Sequence, residues 1–423
     1  MVRDPEAVHS AHPIGLALAV ADVNWFSTEN LFAELDVPST ALLALRCMDF
    51  RNGWRQGLLP WSRSCRPRKW TSERSWKQDL ILPSGWMKRY PRLGMRPIAG
   101  AVRRFWRAMG PAARRVLVAT YPHYHYLWDS VEPQGGLYYA LDDYRLYWPR
   151  HAEAIQELER RLVHRATATV CVARRRCDEL RKLVPQAAAK IHHIPHGTPA
   201  PFLASEPLHR PAAPPPDLAV LPRPLLGYVG SISDRLDWEV LNRLALAFPQ
   251  ASIVLVGRLP RLTNSHGWEA AAARLLSRPN VHAVGWRSQL ELPGCFAAFD
   301  AILIPYDQNH PFNQSCSPTK IMDGLGSGRP IVATAIPECR LYEHLFEVAA
   351  TPEAFLEAVT RLMDRGFDDG KAAHRHAHAA ANRCSLIALR LLRILDRPPE
   401  QASPGSSPIL PDGGSLRREP YGV

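Results

Sequence analysis

Long apolar runs are missing from this 423-residue chain. A membrane-crossing helix needs roughly 20 consecutive apolar residues. The nearest candidate, IGLALAVADV, spans only residues 14–23. It has neither a basic flank nor a small-residue cleavage site, so it reads as a buried first strand rather than a signal peptide. The cytoplasm is the expected compartment. Paired cysteines are missing as well: the eight are scattered and none is in CxxC spacing. That excludes the usual zinc and disulfide frameworks and leaves reduced, mostly buried thiols. The histidines of KIHHIPHG (His192, His193, His196) do not make a metal site, because neighbours on a strand point to opposite faces. HRHAH at 374–378 reads as the solvated face of an Ala-rich helix.

Acids are nearly absent from residues 51–115, where Glu73 and Asp79 stand against 17 Lys or Arg. Trp54, Trp61, Trp70, Trp76, Trp86 and Trp106 are interleaved with these cations. Such a mixture suits an anionic membrane, a polyphosphate lipid or nucleic acid. It equally suits a solvated basic face whose tryptophans pack inward.

What is present is globular: 46% of residues are hydrophobic and 22% charged. The length exceeds one ordinary hydrophobic core, so two domains are expected. Strand-like and helical stretches take turns, the pattern of parallel sheets wrapped by helices. RRVLVATYP (114–122) and GGLYYALDDY (135–144) are strands, and RHAEAIQELERRLVHRA (150–166) is a helix with Ala154, Leu158 and Leu162 inward. The proline-rich PAAPPPDLAVLPRP, 211–224, reads as a linker. Beyond it the alternation restarts through LLGYVGSI, ASIVLVGRL, DAILIPY and PIVAT. The expected fold is α/β, with two doubly wound Rossmann-like domains facing across a cleft and closing C-terminal helices. Residues 14–210 form the first domain and 225–396 the second, while 397–423 read as a disordered tail. Ligands of such sheets bind at the carboxyl ends of the strands.

SCSPTKIMDGLGSGRPIVAT (315–334) carries the clearest chemistry. Ser317 reads as a helix cap and Pro318 as the first helical residue. The free amides of Thr319 and Lys320 would then favour an anion, with the Lys320 ammonium beside them. Asp323 follows on nearly the same face, about 4.5 Å along the axis. A nucleotide diphosphate needs a cationic, amide-lined end for phosphate and a nearby carboxylate for the ribose diol. Three glycines in so short a helix let another backbone, or a sugar, approach closely.

Together with GYVGSISDRLDWEVLNRLA, ASIVLVGR and NVHAVGWRSQLELPGCFAAFDAILIPY, this stretch resembles the retaining, two-domain (GT-B) glycosyltransferases of group 1. The resemblance covers roughly residues 225–345 and is looser in the first half. It implies transfer from a nucleotide-diphosphate sugar to a cell-surface polysaccharide or glycolipid acceptor, with retention and without a metal or other cofactor. The leaving diphosphate would accept the acceptor's proton. Implied donor contacts are Gly230, Ser231, Arg235, Ser317, Thr319, Lys320 and Asp323, with Lys320 and His123 in catalytic roles. Asn24 and Asp143 would meet acceptor or donor from the first domain, Asp142 or its neighbour capping the loop.

Departures accompany the resemblance. The family's paired glutamates are replaced by Ser315 and Asp323, and its Arg–Lys pair after the first strand of the second domain by Ser231 and the later Arg235. A catalytically inactive nucleotide-sugar-binding protein therefore stands as an alternative. Nucleic-acid binding through 51–115 is a further one, although no nucleic-acid partner is expected. Expected partners are a nucleotide-sugar donor and a glycan or lipid-linked acceptor. An anionic membrane surface at the inner face of the plasma membrane completes the set.

Overall fold

Six consecutive buried residues, Leu16–Ala21, form β1 at the centre of the first sheet. An apolar run without alternation is what a strand covered on both faces requires. The computed structural model describes residues 13–87, 90–210, 214–259 and 267–396. The expected tail, 397–423, and the first three residues of the expected linker lie outside the described residues.

After β1 come β2 (Thr40–Asp49), β3 (Arg68–Lys69), β4 (Ser75–Leu82), β5 (Arg114–Ala119), β6 (Gly135–Ala140), β7 (Ala168–Cys171) and β8 (Ile191–His193). They order as β3-β4-β2-β1-β5-β6-β7-β8. Every neighbouring pair is parallel except β3 with β4 at the edge. The second sheet holds β9 (Leu225–Val229), β10 (Ser252–Val256), β11 (Val281–Gly285), β12 (Ala301–Ile304), β13 (Ile331–Thr334) and β14 (Glu347–Ala349). Its order is β11-β10-β9-β12-β13-β14, parallel throughout. Each sheet reverses its strand order once, between β1 and β5 and between β9 and β12. A crevice opens beyond the strand ends at each reversal.

The helix Pro91–Met109 covers one face of the first sheet with Met95, Ile98, Val102, Phe105 and Trp106. The other face is covered by the last helix, Cys384–Asp396, through Ile387, Ala388, Leu391 and Leu395. Arg114 Nη1 also donates to the Leu395 carbonyl at 2.7 Å. This helix falls inside the expected second domain, 225–396, but it packs on the first.

The chain passes between the domains twice, at adjacent points. Thr198 and Arg383 form a parallel bridge, with Thr198 N donating to Asn382 O and Cys384 N to Thr198 O, both at 2.9 Å. Beyond Thr198 the chain already packs with the second domain: Phe202 is in its core and Ala204 N donates to Gly326 O. The crossing therefore lies near 197–198 and not in 211–224. The described prolines of that stretch start a short helix, Pro216–Ala219, whose Leu218 is buried in the second core. Proline here fixes packed turns rather than spacing two bodies.

Two local expectations shift for one reason, a distant partner. In the helix Ala152–Arg165 the buried face is Ile155, Glu159, Leu162 and Val163, not the face of Ala154 and Leu158. Glu159 is drawn inward by the buried Arg176 and by Tyr138 Oη, which donates to it at 2.7 Å. In HRHAH, Arg375 is fully buried, paired with Asp369 and donating to the carbonyls of Gly328 and Leu345. The basic segment divides: Trp86 and Trp106 are core residues, whereas Trp54 is 64% and Trp61 77% exposed. Among the described residues no helix is long and apolar enough to cross a membrane.

Candidate functional site

The motif helix runs from Thr319 to Ser327. Pro318, in extended geometry, occupies the capping position, and no side chain caps the amides. Ser317 points elsewhere and donates to Glu338 Oε1 at 3.3 Å. The glycines answer to packing. A Cβ on Gly326 would stand 2.3 Å from the Phe202 carbonyl oxygen, and Gly328 closes the helix at φ 71°. The approaching backbone is thus the chain's own segment after the crossing.

The helix aims Lys320 and Asp323 into a cleft of about 340 Å³ at the β9–β12 crevice, which Gly230, Ser231, Arg235 and Thr319 also line. Lys320 Nζ donates to Tyr306 Oη and lies 5.5 Å from the Tyr228 ring centre. Tyr228 Oη donates to the Ser231 carbonyl at 2.9 Å, which fixes the floor of the loop after β9. Gly230 is required there: its φ is 151°, and a Cβ would come within 2.7 Å of Tyr228 Oη. Arg235 is held by Asn313 Oδ1 at 3.0 Å and by the Phe312 face at 4.0 Å, with Cys316 Sγ at 3.4 Å. Its rigid fork is thereby set beside the cleft. Low-polarity surroundings push the Asp323 carboxyl up to about 7, opposed by Lys320. It nevertheless keeps part of its surface open to the cleft.

Two fixed cations and unbonded helix amides suit a diphosphate. A carboxylate one helical turn further along suits a vicinal diol. Six of the expected residues, Gly230, Ser231, Arg235, Thr319, Lys320 and Asp323, converge here.

The remaining five do not line this cleft. Asn24 commits its amide to Asp22 Oδ2 and the Cys47 carbonyl, both at 2.7 Å. Its neighbours Trp25, Phe26 and Ser27 face the cleft instead. His123 is buried edge-to-face against Trp148, ring centres 5.2 Å apart. Asp143 is buried and bonded by Arg145 Nε and Nη2 at 2.8 and 2.6 Å, so it caps the loop. Of the acid pair it is Asp142 that feels Arg235 across the domain boundary. Its carboxyl is pushed up to about 6 by burial, with the Tyr147 hydroxyl bond and Arg235 opposing. Ser315, at the end of the helix Pro311–Ser315, is buried with its hydroxyl on the Phe312 carbonyl at 3.4 Å. Ser317 is taken by Glu338, as above. Tyr228 and Tyr306 were missed, although both sit at strand ends quoted above, in GYVG and DAILIPY.

The Asp142–Asp143 pair does not converge on one point, since each carboxylate has its own partner. Among the described residues no group of three or more His, Cys, Asp or Glu is placed to hold a metal ion.

Two parallel sheets reversing at facing crevices, joined by a double crossing and closed by a returning terminal helix, define the GT-B fold. HepE of Anabaena in complex with UDP-glucose superposes with a TM-score of 0.61 at 13% identity, over 90% of this chain and 98% of that one. An α,α-trehalose 6-phosphate synthase of Burkholderia multivorans gives 0.61 at 10% identity, over 90% and 98%. Residues 223–365 match the family model of the glycosyl transferases group 1. That stretch, which carries the cleft's cations and carboxylate, is similar to a group 1 glycosyltransferase domain. TuaH of Bacillus subtilis (strain 168), named for teichuronic acid biosynthesis as a glycosyltransferase, is 25% identical over 260 residues. The match covers 58% of this chain and 61% of TuaH, so the chain spans about three fifths of that relative.

Proposed function

We propose that this protein is a glycosyltransferase that holds a nucleotide-diphosphate sugar in the β9–β12 cleft. The observation that carries the reading is the convergence of Lys320, Arg235 and Asp323 on one cleft between the domains. Lys320, Arg235 and the amides of Thr319 and Lys320 hold the diphosphate, and Asp323 accepts the ribose hydroxyls. The same cations stabilise the charge that develops on the departing diphosphate, a role commonly worth 10²–10³ in rate per group. Reaction proceeds with retention and without a metal, the diphosphate taking the acceptor's proton. UDP is the favoured nucleotide, because HepE is named with UDP-glucose.

The acceptor is a growing cell-surface polysaccharide or glycolipid. TuaH's name supports this, as does the first-domain rim of Trp25, Phe26 and Ser27, which offers an aromatic wall for a sugar ring. A carrier lipid places the enzyme at the inner face of the plasma membrane, where the basic surface of 51–115 meets anionic headgroups. Thermal-shift screening against a panel of nucleotide sugars tests donor binding. A ligand at 100 times its Kd adds about 2.7 kcal/mol. A panel with no shift overturns the reading. A second reading, donor binding without turnover, is favoured by the withdrawn hydroxyl of Ser315. A shift without hydrolysis or transfer of any donor would select it.

A further inference from the structure

One surface is left unexplained by the cleft. The short helix Phe50–Arg55 follows β2 directly, at the same sheet edge as the β1–β5 crevice. Its inward side is Gly53, where a Cβ would stand 2.9 Å from Ile81 Cδ1 of β4. That close seat turns Phe50, Arg51, Trp54 and Arg55 outward. Phe50 is 45% exposed, its ring centre 6.2 Å from that of Trp54. With Ser84 from the loop after β4, these four line a shallow surface hollow. Trp61 is exposed in the loop that follows, and so are Arg63 and Arg66. No acid occurs between Phe50 and Arg66. The nearest, Asp49, is committed to the Asn52 backbone N–H at 2.8 Å.

Exposed tryptophans cost free energy in water and are stabilised where one end of the ring is wet and the other apolar. A bilayer interface offers that depth, and anionic headgroups match the surrounding arginines. Contrast the helix Pro91–Met109, whose Trp106 is buried while Arg103, Arg104 and Arg107 stand exposed. Around those three arginines that helix exposes charge and no aromatic ring, its exposed Leu93 lying in the first turn. We propose that Phe50, Trp54 and Trp61 form a wedge that enters the interface of an anionic bilayer, setting the cleft edge of the first domain against the membrane. The wedge gives the enzyme a fixed orientation toward a lipid-borne acceptor, which attraction by charge does not. The inference rests on the reading that the acceptor is lipid-linked.

The test is sedimentation of the full chain with phosphatidylcholine vesicles, with and without phosphatidylglycerol. Wild type should sediment with the mixed vesicles and not with the neutral ones. The variant Phe50→Ala/Trp54→Ala/Trp61→Ala should lose about tenfold or more in partitioning. Its UDP-induced thermal shift should be unchanged, which shows that it folds and that the donor site is intact. Arg103→Glu/Arg104→Glu/Arg107→Glu should weaken binding and flatten its loss with salt, because insertion persists when charge is screened. If the aromatic variant binds as wild type while the arginine variant does not, the wedge is overturned and the charged membrane reading stands. If wild type sediments with neither vesicle, the lipid assignment is overturned and the patch belongs to a protein partner. Donor binding is judged separately by the thermal shift in every arm.

Discussion

The two sheets reverse strand order in the same way, yet their crevices are chemically unlike. At β1–β5 the polar groups spend their bonding on one another. Tyr124 Oη and Asn24 Nδ2 each donate to Asp22 Oδ2 at 2.7 Å, and Asp22 N donates to Thr120 Oγ1 at 2.8 Å. Tyr144 Oη closes the set on the Thr120 carbonyl at 2.6 Å. At β9–β12 the charged groups are held from behind and left open in front. Arg235 is braced by Asn313 and Lys320 by Tyr306, while both face the cleft. One topology therefore yields a plug and a socket. A buried carboxylate at a switch point is no guide to function unless it has bonding capacity left for a ligand.

The sharpest break in this contrast should come from Lys320→Ala. Turnover should fall by about 10²–10³, and affinity for UDP should fall more than affinity for uridine. Calorimetry finding equal losses for both would remove Lys320 from the phosphate.

Asp323→Ala comes next. Losing a charge-assisted bond should cost roughly 1.5–3 kcal/mol in nucleotide-sugar affinity. With its carboxyl at about 7, the free protein is partly protonated near neutrality, and the ribose favours the ionised form. Affinity for a nucleotide sugar, whose own phosphates stay ionised, should therefore rise as pH increases through that range. Asp323→Asn should bind weakly with a flat profile. A pH-dependent Asn variant would move the titration to another group.

In the plug the expected effect is on stability instead. Burial pushes Asp22 up to about 7 from an ordinary 3.8. Between those values the folded chain keeps a proton that the unfolded chain has released, so stability falls as pH rises. The Asp22 contribution is full below 3.8 and lost above about 7. Asp22→Asn lacks this dependence, so urea titrations should show its deficit relative to wild type shrinking by roughly 2 kcal/mol from about pH 5 to about pH 7. A constant deficit would show that Asp22 is ionised throughout.

The smallest expected effect is that of chelation. Transfer should survive exhaustive EDTA, because Lys320 and Arg235 supply the cations. Abolition with rescue by manganese or magnesium would turn attention back to Asp142 and Asp143.

The socket was far more legible than the plug. Lys320 and Asp323 stand three apart on one helix, and Gly230 and Ser231 directly follow a strand, so short-range rules place them. Asp142 and Asp143 could not be told apart in sequence, because a partner two residues away, Arg145, decides between them. Ser317 looked like a cap, but a bond to Glu338, 21 residues on, outweighs that role. The inward turn of Glu159 depends on Arg176, and the place of the last helix depends on β1 and β5, more than 260 residues earlier. Local pattern carries none of these. Strands β1, β5, β9, β10, β12 and β13 declared themselves as apolar runs, whereas β4, with Lys77, Gln78 and Asp79, and β8, Ile191–His193, carry no such pattern.

The double crossing limits how the molecule can move. Two covalent links running side by side, tied between Thr198 and Arg383, form a ribbon rather than a tether. A ribbon bends across its width with little resistance but resists twist and slide, because either would shear one link past the other. Of the six rigid-body freedoms between two domains, chiefly one rotation is left soft. Arg235 and Asp142, which feel each other's charge over the boundary, lie on either side of that joint. Side chains that bridge the domains beside this joint, Arg175 with Gln314 and Tyr147 with Phe312, meet in the same register whenever it closes.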